Sequence, residues 1–143
     1  MKRVDVAYAF IYDEGKNAVL LVKNLRGDSY DFTLPGGAAE EGETLAEAAV
    51  REAKEETGYD IEVNGIAVIA EGLFTKKQHH TVFHTFYATI SGGEMKVTRP
   101  EEIADVFWAE LKRADELLEP IELKPSEVVK SQPYAPYIFR GTF

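Results

Sequence analysis

The stretch REAKEETGY, residues 51–59, places three glutamates, Glu52, Glu55 and Glu56, within five residues. On a helix, side chains three and four apart are neighbours, with Cβ atoms about 5–6 Å apart. At an effective dielectric near 20, each such carboxylate pair repels by roughly 3 kcal/mol before salt and relaxation reduce it. Near a helix C-terminus the macrodipole disfavours each anion by a further ~0.3–1 kcal/mol. A rotation of about 100° per residue also sets Glu56 between Leu45 and Ala49, inside an apolar arc continued by Ala53 and Val50, while Glu47, Arg51 and Lys54 take the solvent face. A merely solvated acidic face accounts for neither the crowding nor the arc. A divalent cation accounts for both, because hard oxygen donors on one face suit Mg²⁺ or Mn²⁺ and the ion reverses the local electrostatics. Mg²⁺ keeps several waters and can bridge carboxylates to substrate phosphates. A backbone carbonyl from Pro35-Gly36-Gly37 can complete its shell.

The elements that must hold these residues are legible around them. Thr44 and Glu47 fit a capping box and Gly58 fits a C-terminal stop, so a helix is expected over residues 44–57. Ala46, Ala49 and Ala53 would let it approach a sheet closely. Upstream, alternation over residues 4–12, turn chemistry at 13–17 and a β-branched run at 18–22 read as a hairpin. Residues 24–30 (NLRGDSY) read as a loop. Downstream, residues 61–70 and 81–90 read as strands, the second broken by Ser91-Gly92-Gly93. A short strand at 106–108, a helix at 114–118 and a second over 126–130 entered through Pro125 complete the pattern. The tail SQPYAPYIFRGTF is too apolar to hang free and is expected to pack on the domain or on a partner subunit. The architecture is a mixed sheet with a few helices.

Composition narrows the chemistry. A length of 143 residues suits one compact domain, and 45% hydrophobic with 29% charged residues is ordinary globular usage. With no cysteine there is no thiolate ligand, cysteine nucleophile or disulfide, so any metal must take oxygen or imidazole. A net charge of −9 disfavours nucleic acid and anionic membranes as partners. No apolar run reaches signal-peptide or membrane-span length, and the cytoplasm is the expected location.

The segment GAAEEGETLAEAAVREAKEETGY, residues 37–59, resembles the Nudix box: Gly37, Glu43, Arg51, Glu52, Glu55, Glu56 and Gly58 all stand at the box's fixed positions. Ala53 and Tyr59 stand where the family more often has Ile, Leu or Val. FTLPGG, residues 32–37, is similar to the family's lead-in, and EEIADVFWAE, residues 101–110, to its later acidic segment and tryptophan-bearing strand. The resemblance implies an α/β/α sandwich with a mixed sheet, and hydrolysis of a nucleoside diphosphate linked to another moiety with Mg²⁺ or Mn²⁺. It makes Glu52 and Glu56 the principal metal ligands and Glu55 a ligand or the residue that orients or deprotonates water. It also has Gly37 or its neighbour offer a carbonyl, Glu43 act through a metal-bound water, and Arg51 hold a glutamate of the cluster. A further acid from a distal loop serves in some members, and Glu102 is preferred over Glu94 and Glu101 for that role.

Arg26, Lys23, Lys76 and Lys77 are expected near the cleft, where they can pair with phosphates. Phe10, Phe32, Phe74 and Phe83 can stack on a base or fill the core. His79, His80 and His84 read as hydrogen-bonded sheet residues rather than metal ligands. The region 73–77 carries neither the proline nor the tyrosine that marks some subgroups, so a nucleoside triphosphate is the default substrate. An isoprenoid diphosphate isomerase is disfavoured by the lack of cysteine, and a nucleotide-sensing module by the intact carboxylates. A homodimer is a further expectation.

Overall fold

The computed structural model describes residues 1–118, 124–131 and 134–143. Its elements run β1 (Lys2–Asp13), β2 (Ala18–Arg26), β3 (Ser29–Thr33), β4 (Gly36–Ala38), α1 (Leu45–Thr57), β5 (Tyr59–Phe74), β6 (His79–Gly93), β7 (Ile103–Glu110), α2 (Leu111–Leu117) and α3 (Pro125–Lys130).

The strand β1 organises the sheet. One edge lies parallel to β6 from Lys2↔His79 to Ile11↔Ala88. The other edge pairs with β4 at Val6–Tyr8 and with β2 only at Tyr12 and Asp13. Beyond β2 lie β3 and β7, and beyond β6 lies β5. Because successive strand side chains point to opposite faces, β1 feeds two layers. Ala7, Ala9 and Ile11 pack toward Ala48, Ala49 and Ala53 of α1, whereas Phe10 packs with Val19, Leu21, Ala114, Leu118 and Val128 under α2 and α3. The fold is an α/β/α sandwich around a mixed sheet.

Local chemistry sets the ends of α1. The Thr44 hydroxyl accepts from the Glu47 amide at 3.0 Å and the Glu47 carboxylate accepts from the Thr44 amide at 2.9 Å. Such a reciprocal pair satisfies two donors that a helix start leaves open. At the other end Gly58 takes a left-handed conformation (φ 84°), and a Cβ there would collide with the Glu94 carbonyl.

Four expectations need correction. Residues 24–30 form no loop: β2 and β3 continue into a tight hairpin turning at Gly27 (φ 62°). Polar cross-strand pairs hold it, Asn24 Nδ2 to Asp31 Oδ1 at 3.0 Å and Arg26 Nε to Asp31 Oδ2 at 3.0 Å, which is why its composition imitates a loop. Ser91-Gly92-Gly93 does not break β6, which continues to pair Gly93 with Tyr59. The glycine at 93 instead admits the Gly58 carbonyl. Val50 is exposed, and the buried arc of α1 is shifted toward Ala48. Arg51 is not on a solvent face; its side chain is 24% exposed because its length carries the guanidinium back over the glutamates. The tail does pack on this chain in part: Ala135 bridges Ile66 on β5 and Tyr137 meets Phe86 edge to face at 5.0 Å. Ile138, Phe139 and Phe143 remain exposed.

Candidate active site

The helix α1 delivers Arg51, Glu52, Glu55 and Glu56 to one place, the segment before it delivers Glu43, and β4 delivers Gly36 and Gly37. Arg51 grips Glu43 with two parallel bonds, Nε to Oε2 at 2.6 Å and Nη2 to Oε1 at 2.9 Å. Its Nη1 donates to Glu52 Oε1 at 2.9 Å and to Glu55 Oε2 at 3.1 Å, and its Nη2 also reaches the Ala38 carbonyl at 3.2 Å. All five guanidinium N–H groups are thereby engaged, which a lysine could not reproduce. The bidentate bond holds the Glu43 carboxyl below its ordinary range.

Glu56 is held differently. The Gly36 amide donates to its Oε1 at 2.8 Å, and among the described residues its Oε2 accepts no hydrogen bond. Burial pushes its carboxyl up to about 8, the Gly36 hydrogen bond opposes the rise, and the neighbouring Glu52 charge adds to it. Glu52, its side chain 13% exposed, is also raised by burial, against the pull of Arg51. Gly37 lies so close that a Cβ on it would stand 2.7 Å from the Glu52 carboxyl carbon.

The distal acid Glu102 comes to the same neighbourhood through Arg99. Arg99 Nη2 lies 2.7 Å from Glu55 Oε2 and its Nη1 lies 3.3 Å from Glu102 Oε2. Sequence reasoning missed Arg99. In VTRPEE it is an ordinary surface cation, and only the fold brings it back against a helix 44 positions upstream. Glu94 meets Gly58 through its backbone carbonyl.

The donors are all oxygens, the type that a hard divalent cation takes. Five carboxylates (Glu43, Glu52, Glu55, Glu56 and Glu102) face two guanidiniums (Arg51 and Arg99), leaving three formal negative charges when all are ionised. The proton that Glu56 retains to about pH 8, chiefly because it is buried, takes up part of that charge. As the side chains stand, no three carboxylates or imidazoles among the described residues converge on one point. The arginines and the Gly36 amide direct the oxygens instead.

An apolar cavity of about 400 Å³, with no carboxylate among its described lining residues, has walls that include Tyr8, Phe32, Leu34, Phe74, Phe83 and Val128. Tyr8 and Phe83 stack at 6.0 Å with planes 3° apart, and Phe74 meets Phe83 at 6.2 Å and 74°. Tyr8 pairs with Gly36 across β1 and β4, so the cavity and Glu56 are joined through one backbone pair. Burial first, and the Glu56 charge second, push the Tyr8 phenol up to about 12. No spacing or motif in the sequence marks Tyr8.

The expected phosphate cations do not pair with the carboxylates. Arg26 bonds Asp31, and Lys23 lies over the Tyr30 ring at 4.1 Å. Lys76 and Lys77 sit in the turn between β5 and β6. His84 Nδ1 bonds the Val6 carbonyl at 3.1 Å, and His80 Nε2 meets Glu71 Oε2 at 2.8 Å.

The chain is 35% identical over 95 residues to the ADP-ribose pyrophosphatase of Methanocaldococcus jannaschii, covering 66% of this chain and 56% of that protein. It is 34% identical over 90 residues to the NAD-capped RNA hydrolase NudC of Pseudomonas entomophila, covering 63% of this chain and 31% of that protein. The chain thus spans less than two thirds of the length of these curated relatives. Among solved structures, a NUDIX hydrolase from Nitrosomonas europaea superposes with a TM-score of 0.81 at 21% identity, over 99% of this chain and 100% of that one. A MutT NUDIX hydrolase from Burkholderia pseudomallei gives 0.73 at 22%, over 92% and 100%. At those identities the likeness shows a shared fold. The family model for the NUDIX domain matches residues 1–132, and the chain belongs to that family.

Proposed function

We propose that the protein is a divalent-metal-dependent hydrolase that cleaves a phosphoanhydride bond in a nucleoside diphosphate derivative, with a nucleoside triphosphate as the default substrate. The observation that carries this reading is Glu56: a partly buried carboxyl group, fixed by the Gly36 amide, within a group whose carboxylates outnumber its two guanidiniums. Glu52 and Glu56, with a backbone carbonyl at Gly36 or Gly37, would hold Mg²⁺ or Mn²⁺. When bound, that ion neutralises the diphosphate and lowers the pKa of a coordinated water. Arg51 keeps Glu43, Glu52 and Glu55 in register. Glu55 Oε1 accepts no hydrogen bond among the described residues, so it can take the proton of an attacking water, and Glu102 is the second carboxylate available for that task. The aromatic cavity would receive the nucleoside, and Arg26 and Lys23 would face its phosphates after exchanging their present partners.

Relatives named for ADP-ribose and for NAD-capped RNA make nucleoside diphosphate derivatives the panel to test. Phosphate or nucleotide release should be followed over nucleoside triphosphates, dinucleotides and nucleotide sugars with Mg²⁺ or Mn²⁺. Metal-dependent turnover of at least one member is expected; turnover that persists in excess chelator would end the proposal. The exposed Ile138, Phe139 and Phe143 support a homodimer, and a monomer mass by light scattering at micromolar concentration would remove it.

A further inference from the structure

The two arginines at the carboxylates are built unlike one another. Arg51 stands inside α1 with every N–H committed. Arg99 arrives from the segment that leads into β7 and engages two carboxylates. Its support is extensive. The Glu102 and Ile103 amides both donate to the Arg99 carbonyl, at 3.0 and 2.8 Å, and Ile103 is in the core. On the near side the Lys96 amide donates to the Thr57 carbonyl at 2.9 Å, and the Thr98 hydroxyl donates to the Glu55 carbonyl. The segment is therefore tied to the last turn of α1, including the backbone of the glutamate that Arg99 pairs with.

Glu55 Oε2 accepts from Arg51 Nη1 at 3.1 Å and forms an ion pair with Arg99 Nη2 at 2.7 Å. One cation four residues away on the same helix would leave this carboxylate free to turn toward Glu52 and Glu56. A second cation from outside the helix fixes its direction and keeps Oε1 unengaged. The cost is electrostatic: a guanidinium beside an anionic cation site repels the cation, by an amount that falls with distance and screening.

We infer that Arg99 is a positioning residue which holds Glu55 apart from the metal-binding pair Glu52 and Glu56 and couples it to Glu102, at the expense of metal affinity. The inference rests on the metal-dependent reading above. It makes two quantities move in opposite directions when the clamp is removed. Without Arg99, Glu55 is free to join the ion and a repelling charge is gone, so the metal binds more tightly. The same freedom misplaces the carboxylate from the water, and misplacements near 1 Å cost about 10²-fold in rate.

The test is calorimetric titration of the full chain with Mn²⁺ alone, paired with steady-state turnover of the best substrate. Arg99→Met should bind Mn²⁺ about 3–10-fold more tightly, while kcat falls about 10–100-fold and KM stays within about twofold. Arg99→Lys keeps the charge but cannot span both carboxylates; it should bind Mn²⁺ like the wild type and still lose kcat. Weaker or unchanged Mn²⁺ binding in Arg99→Met overturns the inference, as does an intact kcat in Arg99→Lys. A rise in KM with kcat preserved also overturns it, since Arg99 would then be a phosphate ligand. Wild type that binds no Mn²⁺ would instead strike the metal-dependent reading itself.

Discussion

The carboxylate cluster and the aromatic cavity adjoin across the single pair Tyr8–Gly36, yet they are made by opposite means. In the cluster, named donors direct named oxygens, and the organising bonds run from 2.6 to 3.2 Å. In the cavity, aromatic and aliphatic surfaces are held by packing, and Tyr8 is the one ionisable side chain among the described lining residues. Fixed charges matter most where charge develops in the transition state, whereas apolar burial binds ground state and transition state alike. Damage to the cluster should therefore register in kcat and damage to the cavity in KM.

The largest break in that comparison is Glu56→Gln. The amide keeps the shape and can still accept from the Gly36 amide, so the fold should survive with an unchanged circular dichroism spectrum. Turnover should nevertheless fall by about 10³-fold, the scale of removing a key electrostatic group. Turnover within about threefold of wild type would remove Glu56 from the mechanism. Gly37→Ala should come next. The new Cβ would stand 2.7 Å from the Glu52 carboxyl carbon, and a flexible side-chain end yields more readily than backbone, so Glu52 is displaced while the strand stays. A loss of about 10²-fold in kcat is expected, with weaker Mn²⁺ binding by calorimetry; wild-type metal affinity would show that Glu52 is not a ligand.

The two regions also differ in how far a reader of the sequence can see them. Most of the cluster comes from residues 36–56, where helix periodicity and a capping box fix relative positions locally, so the convergence of Glu52 and Glu56 is legible from spacing. Arg99 is not, because its approach depends on where β6 ends and β7 begins. The cavity is assembled from β1, β3, β5, β6, α3 and the residues between them, and no local rule reports which aromatics will share a wall. In sequence, Phe83 and Phe74 fit a core as well as a base site. The β2–β3 hairpin resembles a loop in sequence for a related reason: its polar residues pair with each other across strands, and pairing is invisible in composition.

On the cavity side, Phe83→Leu keeps an apolar side chain but removes the ring that stacks on Tyr8 and meets Phe74. Aromatic pairs contribute about 0.5–1.5 kcal/mol beyond their buried area, so KM should rise roughly 3–10-fold with kcat nearly unchanged. A fall in kcat with KM preserved would mean that cavity and cluster do not divide the work in this way.

The smallest effect is on stability, and it isolates the cluster without any substrate. The folded protein holds the Glu56 proton to about pH 8, whereas an ordinary glutamate releases it near 4.5. Between those values the folded state binds more protons than the unfolded state, so stability falls as pH rises, at no more than about 1.4 kcal/mol per pH unit, and levels off above 8. Glu52, also raised by burial, acts with the same sign. Glu43 acts with the opposite sign, but its lowered carboxyl matters only below the ordinary glutamate range. Melting of the metal-free protein should therefore drop by a few degrees from pH 6.5 to 8.5, since ~1 kcal/mol moves the Tm of a domain this size by ~2–4 °C. Mg²⁺ favours the ionised carboxylates and should flatten the dependence, raising Tm more at pH 8.5 than at 6.5. Cavity variants such as Phe83→Leu should keep the wild-type slope, and Glu56→Gln should lose most of it. A slope that persists in Glu56→Gln would assign the proton to another group and separate the buried charge from the carboxylate that the Gly36 amide holds.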